Sequence, residues 1–423
     1  MASSFAFVLT LLALAAPASA QQRLAFVGAR LWDGTGASPV PDAVLLVEDG
    51  RVLRAGPRAR TPVPDGYRVV DVSGRYVIPG LVNAHGHVGS ARGLETAGVY
   101  SRELVLDQLA RSARYGITTV VSLGSDGPEG IAVRDEQDRP GLDRARLYVA
   151  GPVLDPTTHA EARLQVARLA AMNVDWAKIR VDESLGPEAS PEIYRALAAE
   201  ADARGLPLAV HMVTLEDAKG VLRAGADLLA HSVRDRLVDD ELLALMRQSD
   251  VCLVPTLMRE VSVFAYGARP AFFDDPFFTS EVDPAVLARL QDPARMARTR
   301  ESANARWARE QGLPMAMRNL KALSDAGAGI AMGTDSGPAG RFQGYFEHME
   351  LELMAEAGLP PDQVLRAATG EAARCMGLEG EVGTLEPGAW ADFVVLSADP
   401  LVDVRNSRSL EAVYIAGNRV PGR

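Results

Sequence analysis

The 423-residue sequence predicts an α/β protein, a (β/α)8 TIM barrel joined to a small β-sandwich domain formed by both chain ends. Two patterns carry that expectation. Between residues 79 and 377, short apolar runs alternate with amphipathic helical stretches, as βα units around a parallel sheet do. Residues 21–78 have a different texture, short β-like runs broken by turns, and it returns only in residues 378–423. Chain ends that share a unit leave the middle as a self-contained insertion, and the length exceeds what one core usually serves.

Residues 1–20 read as a signal peptide. Phe5 to Ala16 is apolar but too short to span a bilayer, and Pro17-Ala18-Ser19-Ala20 suits cleavage after Ala20. The mature chain is therefore expected to be exported, periplasmic or secreted, with no membrane span. β-like runs follow at Leu24–Val27, Ala43–Gly50 and Arg51–Leu53, with Asp49-Gly50 as a hairpin signal. Their counterparts near the carboxyl end are Gly383–Gly388, Ala391–Leu396 and Ala412–Gly417. Strand candidates for the barrel are Tyr76–Pro79, Thr118–Val121, Arg146–Ala150, Trp176–Arg180, Leu208–His211, Leu228–His231, Val251–Val254 and Gly329–Gly333. Helices Ser190–Arg204, Thr214–Ala224 and Asp239–Gln248 repeat apolar residues at three- and four-residue steps. Residues 258–317 break this rhythm with an aromatic segment, Phe264 to Phe278, and a charged helical run, Pro284 to Glu310. They read as an insertion after the seventh strand, a substrate wall or a packing or dimerisation element.

Hydrophobic residues are 48% and charged residues 23%, an ordinary globular balance. A net charge of −11 without a basic stripe argues against nucleic acid and anionic membrane surfaces as partners. Cys252 and Cys375 sit in unrelated apolar contexts and are expected as buried free thiols outside the chemistry.

Four of the six histidines fall at or just after predicted strand ends. His85 and His87 are two apart on an extended segment, which turns both rings to one side. His211 ends the fifth strand, His231 ends the sixth, and Asp335 follows the eighth. Carboxyl-terminal strand ends converge at the mouth of a barrel, so these side chains can meet. Imidazoles with a carboxylate suit Zn2+, and also Mn2+, Fe2+ or Co2+. One strand-end histidine alone is ordinarily a satisfied polar residue; the joint pattern points to a metal. Lys178, inside an apolar strand, needs a partner or a modification to be tolerated there, unless the strand shows it to solvent.

With Gly80-Leu81-Val82-Asn83-Ala84-His85-Gly86-His87, Lys178, His211, His231, Gly333-Thr334-Asp335-Ser336-Gly337 and Gly383 to Leu396 on the page, the chain resembles the amidohydrolase superfamily, close to its imidazolonepropionase-like and prolidase-like branch. The resemblance runs from the first β segment to the carboxyl terminus. It implies that Lys178 is a carbamate bridging two divalent ions, with His85, His87 and Asp335 on one and His211 and His231 on the other. Mononuclear relatives hold one ion. It further implies a metal-bound hydroxide that attacks a carbonyl, with Asp335 carrying the proton to the leaving nitrogen.

His159 lies where prolidase-like relatives resemble it in carrying a histidine on the substrate carboxylate, although Thr157-Thr158 replace their glycines. His348, Arg180 and Tyr345 complete the expected substrate-binding residues; for His348 a packing or capping role is the competing reading. The implied activity is hydrolysis of an amide-type C–N bond in a small-molecule substrate. A prolidase-like Xaa-Pro or other dipeptidase is the alternative, and a non-catalytic metal-holding binding protein is a third reading. Phosphotriester hydrolysis needs the same kind of centre. A Ser-His-Asp hydrolase is disfavoured, since no Gly-x-Ser-x-Gly elbow precedes a barrel helix. A homo-oligomer is compatible with all of these.

Overall fold

The computed structural model describes residues 22–181 and 190–422; the predicted signal segment, residues 1–20, lies outside the described residues. Strands β1 (Arg23–Leu31), β2 (Val40–Glu48), β3 (Arg51–Pro57), β4 (Arg68–Asp71) and β5 (Tyr76–Pro79) open the chain. The barrel region then carries β6 (Leu81–Gly86), β7 (Ile117–Ser122), β8 (Arg146–Val149), β9 (Ala177–Val181), β10 (Leu208–Met212), β11 (Leu228–Leu229) and β12 (Cys252–Leu253). Strands β13 (Phe393–Leu396), β14 (Leu410–Ile415) and β15 (Asn418–Arg419) close it.

Strands from both ends hydrogen-bond into one eight-stranded sheet, ordered β15-β14-β13-β5-β1-β2-β3, with β4 also on β1. The Asp49-Gly50 turn joins β2 to β3, and both residues have positive φ, +49° and +81°, as a type I′ hairpin turn requires. Period-two alternation divides the buried side chains of β13 between two cores. Phe393 and Val395 join Phe26 and Tyr414 on one face, while Val394 and Leu396 join the barrel core on the other. Arg146, at the start of β8, is fully buried and donates to Asp392 at 2.7 and 3.3 Å, which ties this sheet to the barrel.

The barrel strands form two parallel sheets, β6-β7-β8 and β9-β10-β11-β12, a TIM-barrel-like α/β arrangement. Isolated parallel bridges join them: Leu154 with Ile179 on one side, and on the other Ile330 with Leu253 and Ser336 with Gly86. The expected eighth strand, Gly329–Gly333, is therefore an extended segment between β12 and β6, held by Ala331 N–H on Leu253 O and Ala84 N–H on Met332 O. Tyr76–Pro79, expected in the barrel, pairs instead with β1 and β13. The chain passes so close to Thr118 at Gly80 that a Cβ would overlap that side chain, and the first barrel strand starts only after this break.

Helices α1 (Arg102–Arg114), α2 (Pro128–Asp135), α3 (His159–Ala171), α4 (Pro191–Asp202), α5 (Leu215–Ala224) and α6 (Asp240–Ser249) follow the strands in turn. Ser101, Thr158, Ser190, Thr214 and Asp239 cap five of them through side-chain oxygens. After β12 come α7 (Leu257–Phe264), α8 (Pro276–Thr279), α9 (Pro284–Leu290), α10 (Pro293–Glu301), α11 (Ala303–Trp307) and α12 (Leu313–Asp325). The charged run expected as one helix is cut because Asp292-Pro293 starts a new one and Ser302 caps another. Aromatics of this stretch pack inward: Phe272 and Phe278 lie 5.7 and 4.9 Å from Tyr345 on α13 (Tyr345–Glu356). Helices α14 (Pro361–Ala367) and α15 (Gly370–Cys375) complete the ring.

The cysteines are not free. Cys252 and Cys375 form a disulfide, with Cα atoms 5.8 Å apart across a separation of 123 residues. The fold lays the end of α15 beside β12, a proximity that two separate apolar contexts in sequence do not reveal. No helix of the described residues is long and apolar enough to cross a membrane.

Candidate metal centre

Six side chains gather at one end of the barrel, Lys178 from within β9 and the others from the ends of β6, β10 and β11 or just beyond them and beyond the extended segment between β12 and β6. His87 Nε2 lies 2.9 Å from Asp335 Oδ1, and His85 Nε2 lies 3.8 Å from the same oxygen. Lys178 Nζ is 3.4 Å from His85 Nε2. The His231 ring is 4.8 Å from His85 and 4.2 Å from His211, centroid to centroid. His85, Lys178, His211, His231 and Asp335 are buried, and His87 is partly so. The structure thus brings together every ligand proposed from the sequence, with Lys178 beside His85, which itself stands between Asp335 and His231.

The backbone and outer partners explain the orientation. His85 Nδ1 faces Ala230 O at 2.9 Å and His87 Nδ1 faces Gly124 O at 3.0 Å. A carbonyl only accepts, so each Nδ1 carries the proton, and on His85, which burial holds neutral, Nε2 keeps a lone pair directed inward. His231 Nδ1 is 2.6 Å from Thr256 Oγ1. Asp335 has φ +56°, a strained value for a residue with a Cβ, and its N–H donates to His85 O. Gly337 tolerates no side chain, because a Cβ there would collide with His87 O.

Burial holds His85 and His231 neutral, well below the usual imidazole range, and brings the Lys178 amine down to about 7. Burial alone would raise the Asp335 carboxyl, but the guanidinium of Arg341 and the hydrogen bond with His87 overcome it and hold the group well below the usual carboxylate range. The neutral His85 and His231 imidazoles, an ionised carboxylate and an amine that titrates near neutrality are donors suited to a divalent cation. The residues therefore fit a metal.

The expected substrate-binding residues divide. Arg180 is exposed on β9 two residues beyond Lys178, hence on the same strand face, and its charge reaches that amine. His159 opens α3 with its side chain half exposed, 3.2 Å from Glu192. Tyr345 is buried in the aromatic cluster and donates to Asp275 Oδ2 at 2.8 Å. His348 does not rim the mouth: it is buried, with Nδ1 2.8 Å from Ser407 Oγ and Nε2 2.8 Å from Tyr115 O. It belongs to the face of α13 that packs against the chain's tail.

Sequence reasoning missed the groups behind the ligands: Asn83, Thr256, Arg341, Glu347 and Glu350. Arg341 Nη1 donates to Asp335 Oδ2, and it also lines a cavity of about 340 Å3 between α1, α9 and the segment after Asp335. Asn83 and Arg341 flank the His85–His87 and Asp335 motifs by two and six residues, the only sequence signal that could have found them.

A barrel whose strand ends present buried neutral histidines, a lysine and an ionised aspartate defines the class of metal-dependent hydrolases. The chain belongs to the amidohydrolase family, whose model matches residues 76–420. It is 26% identical over 382 residues to the imidazolonepropionase of Streptomyces coelicolor, covering 85% of this chain and 86% of that one. It is 25% identical over 436 residues to a 5-methylthioadenosine/S-adenosylhomocysteine deaminase of Symbiobacterium thermophilum, covering 89% and 86%. Among solved structures it is similar to a Bifidobacterium longum protein provisionally assigned as a prolidase, at TM-score 0.76 and 26% identity over 95% of both chains. The protein is accordingly a hydrolase acting on carbon–nitrogen bonds, and its family implies a divalent metal centre.

Proposed function

We propose that this chain hydrolyses an amide-type C–N bond of a small molecule at a pair of divalent ions, Zn2+ by its donor set, bridged by carbamylated Lys178. The observation that carries the reading is the buried lysine amine 3.4 Å from His85 Nε2, with His87 and Asp335 on one side and His231 and His211 on the other. Modification would join the neutral Lys178 amine nitrogen to the carbon of CO2 with loss of one proton, leaving a carbamate anion that could serve as a ligand to both ions; starting from the ammonium form, two protons leave. His85, His87 and Asp335 would hold one ion, and His211 and His231 the other. When bound, such ions supply Lewis acidity and an ionisable water.

The chain's own residues do the rest. Asp335, kept ionised by Arg341, takes the proton of the attacking water and returns it to the leaving nitrogen as the C–N bond breaks. Barrel residues 79–377 would form the catalytic unit, with residues 21–78 and 378–423 as the accessory β domain. A disulfide supports an oxidising compartment, in keeping with an exported chain.

The dipeptidase reading stands second, favoured by Arg180 exposed beyond Lys178 and Arg341 on Asp335, two guanidiniums suited to a substrate carboxylate. A screen of N-acyl amino acids, Xaa-Pro and other dipeptides, cyclic amides and neutral carbamates with metal-loaded protein separates the readings. Turnover confined to carboxylate-bearing amides supports the second, turnover of neutral amides supports the general one, and metal-loaded protein that binds but turns over nothing contradicts both.

A further inference from the structure

Behind the ligands, helix α13 presents two buried carboxylates, Glu347 and Glu350, on one face at i, i+3 spacing. Their contacts do not overlap. Glu347 Oε1 accepts from Asn83 Nδ2 and Ser336 Oγ, both at 2.6 Å, and from Thr334 Oγ1 at 3.1 Å. Asn83 Oδ1 in turn accepts the His85 N–H at 3.0 Å, and Ser336 O accepts the His87 N–H at 2.7 Å. One oxygen thus gathers the backbone of His85 and His87 and both neighbours of Asp335. Among the described residues Glu347 Oε2 has no hydrogen-bond partner.

Glu350 works on the other side. Its two oxygens take the N–H groups of Leu257 and Met258, at 2.8 and 2.7 Å, at the start of α7. The residue before them, Thr256, is held at φ +48°, an outlier for a β-branched side chain, and its Oγ1 meets His231 Nδ1. The opposite face of α13 is itself anchored by His348 on Ser407 and Tyr115 and by Tyr345 on Asp275.

We infer that α13 positions the metal centre in two independent halves, Glu347 setting the His85, His87 and Asp335 group and Glu350 setting His231. Both are positioning residues, since neither touches a ligand side chain directly. The inference rests on the metal reading proposed above and adds which residue controls which ion. For Glu347 the work is done by one accepting oxygen, so a glutamine, with its amide nitrogen on the partnerless side, preserves it. For Glu350 both oxygens are used, so a glutamine preserves only one bond.

The test is Zn2+ per chain, measured by mass spectrometry after dialysis against graded chelator, on the full mature protein and on Glu347→Ala, Glu347→Gln, Glu350→Ala and Glu350→Gln. His87→Ala, which removes a ligand of the first group, is added to each alanine variant. Removing an outer partner typically weakens metal affinity about 10–100-fold. Each alanine variant is expected to lose one ion at correspondingly lower chelator while the other ion holds, with Glu347→Gln close to the parent and Glu350→Gln intermediate. In the His87→Ala background, Glu347→Ala should add nothing and Glu350→Ala should remove the remaining ion. Equal loss of both ions in every variant, tracking a lowered thermal midpoint of the metal-free protein, would show a general packing role and overturn the inference, as would unchanged retention. A parent with one ion that Glu347→Ala loosens refutes the paired-ion reading and the assignment of Glu350 but upholds Glu347. A parent with no ion refutes all of it.

Discussion

Replacing Asp392 by alanine removes the buried partner of Arg146 and leaves only the exposed Asp138 carboxylate, 3.9 Å from the guanidinium; both Arg146 and Asp392 are almost wholly buried. The guanidinium donates to Asp392 at 2.7 and 3.3 Å and to Gln137 O at 3.3 Å, and it lies 4.1 Å from the Trp390 ring. Asp392 Oδ1 also accepts the Ala416 N–H at 2.7 Å. Breaking a buried pair from one side strands the other charge, at about 3–5 kcal/mol, so Asp392→Ala should lose about 4 kcal/mol, roughly a thousandfold in the folding equilibrium. Removing both charges, as Arg146→Met with Asp392→Leu, should cost less than the single change. Urea unfolding followed by tryptophan fluorescence, with Zn2+ content measured in parallel, reads both. Arg146 begins β8 and the ligands stand at the opposite strand ends, so folded variants should keep their metal. A loss below about 1 kcal/mol for Asp392→Ala, or a double variant no better than the single, would refute the argument.

With metal supplied to saturation, Asp335→Asn should lower turnover about 100- to 10,000-fold, the range of a lost general acid–base group; full turnover with metal bound would exclude the proton-carrying role. The metal-free protein should lose stability as pH falls below about 6.5, where unfolded imidazoles begin to take up protons. His85 and His231 are held well below that value when folded, so the unfolded state binds more protons and acid favours it. A thermal midpoint that stays level or rises between pH 7.5 and 5.5 would contradict this. Cys252→Ser with Cys375→Ser opens a link across 123 residues and should cost about 2–5 kcal/mol without changing metal content. Coincident unfolding of the oxidised and mutated proteins would show that the bridge contributes nothing.

The candidate ligands His85, His87, His211, His231 and Asp335 were legible because a barrel sorts its strand ends to one face, whereas Lys178 stood out as a lysine inside an apolar strand and became a candidate ligand through the family resemblance. The Asp49-Gly50 hairpin and the Ser190, Thr214 and Asp239 caps were legible because their conformations are set within a few residues. What depends on distant partners was not. The pairing of Cys252 with Cys375 exists only once α15 lies beside β12, and Tyr76–Pro79 is drawn out of the barrel by β13, more than 300 residues away. Nothing local in Glu347-His348-Met349-Glu350 marks its two carboxylates as buried. The segment is buried on several faces because the tail, the insertion and the barrel all close on α13; this bears out the packing reading of His348, and it hid the carboxylates behind the candidate ligands.

The measurement that bears most directly on the account is metal content per chain of the purified mature protein, combined with the intact mass of the peptide carrying Lys178 under conditions that preserve a carbamate. The account predicts two divalent ions and a Lys178 heavier by one CO2, with Lys178→Met reducing both the metal content and the turnover. A single ion beside an unmodified lysine would contradict the bridged centre, and a fully active protein without metal would contradict the mechanism as a whole.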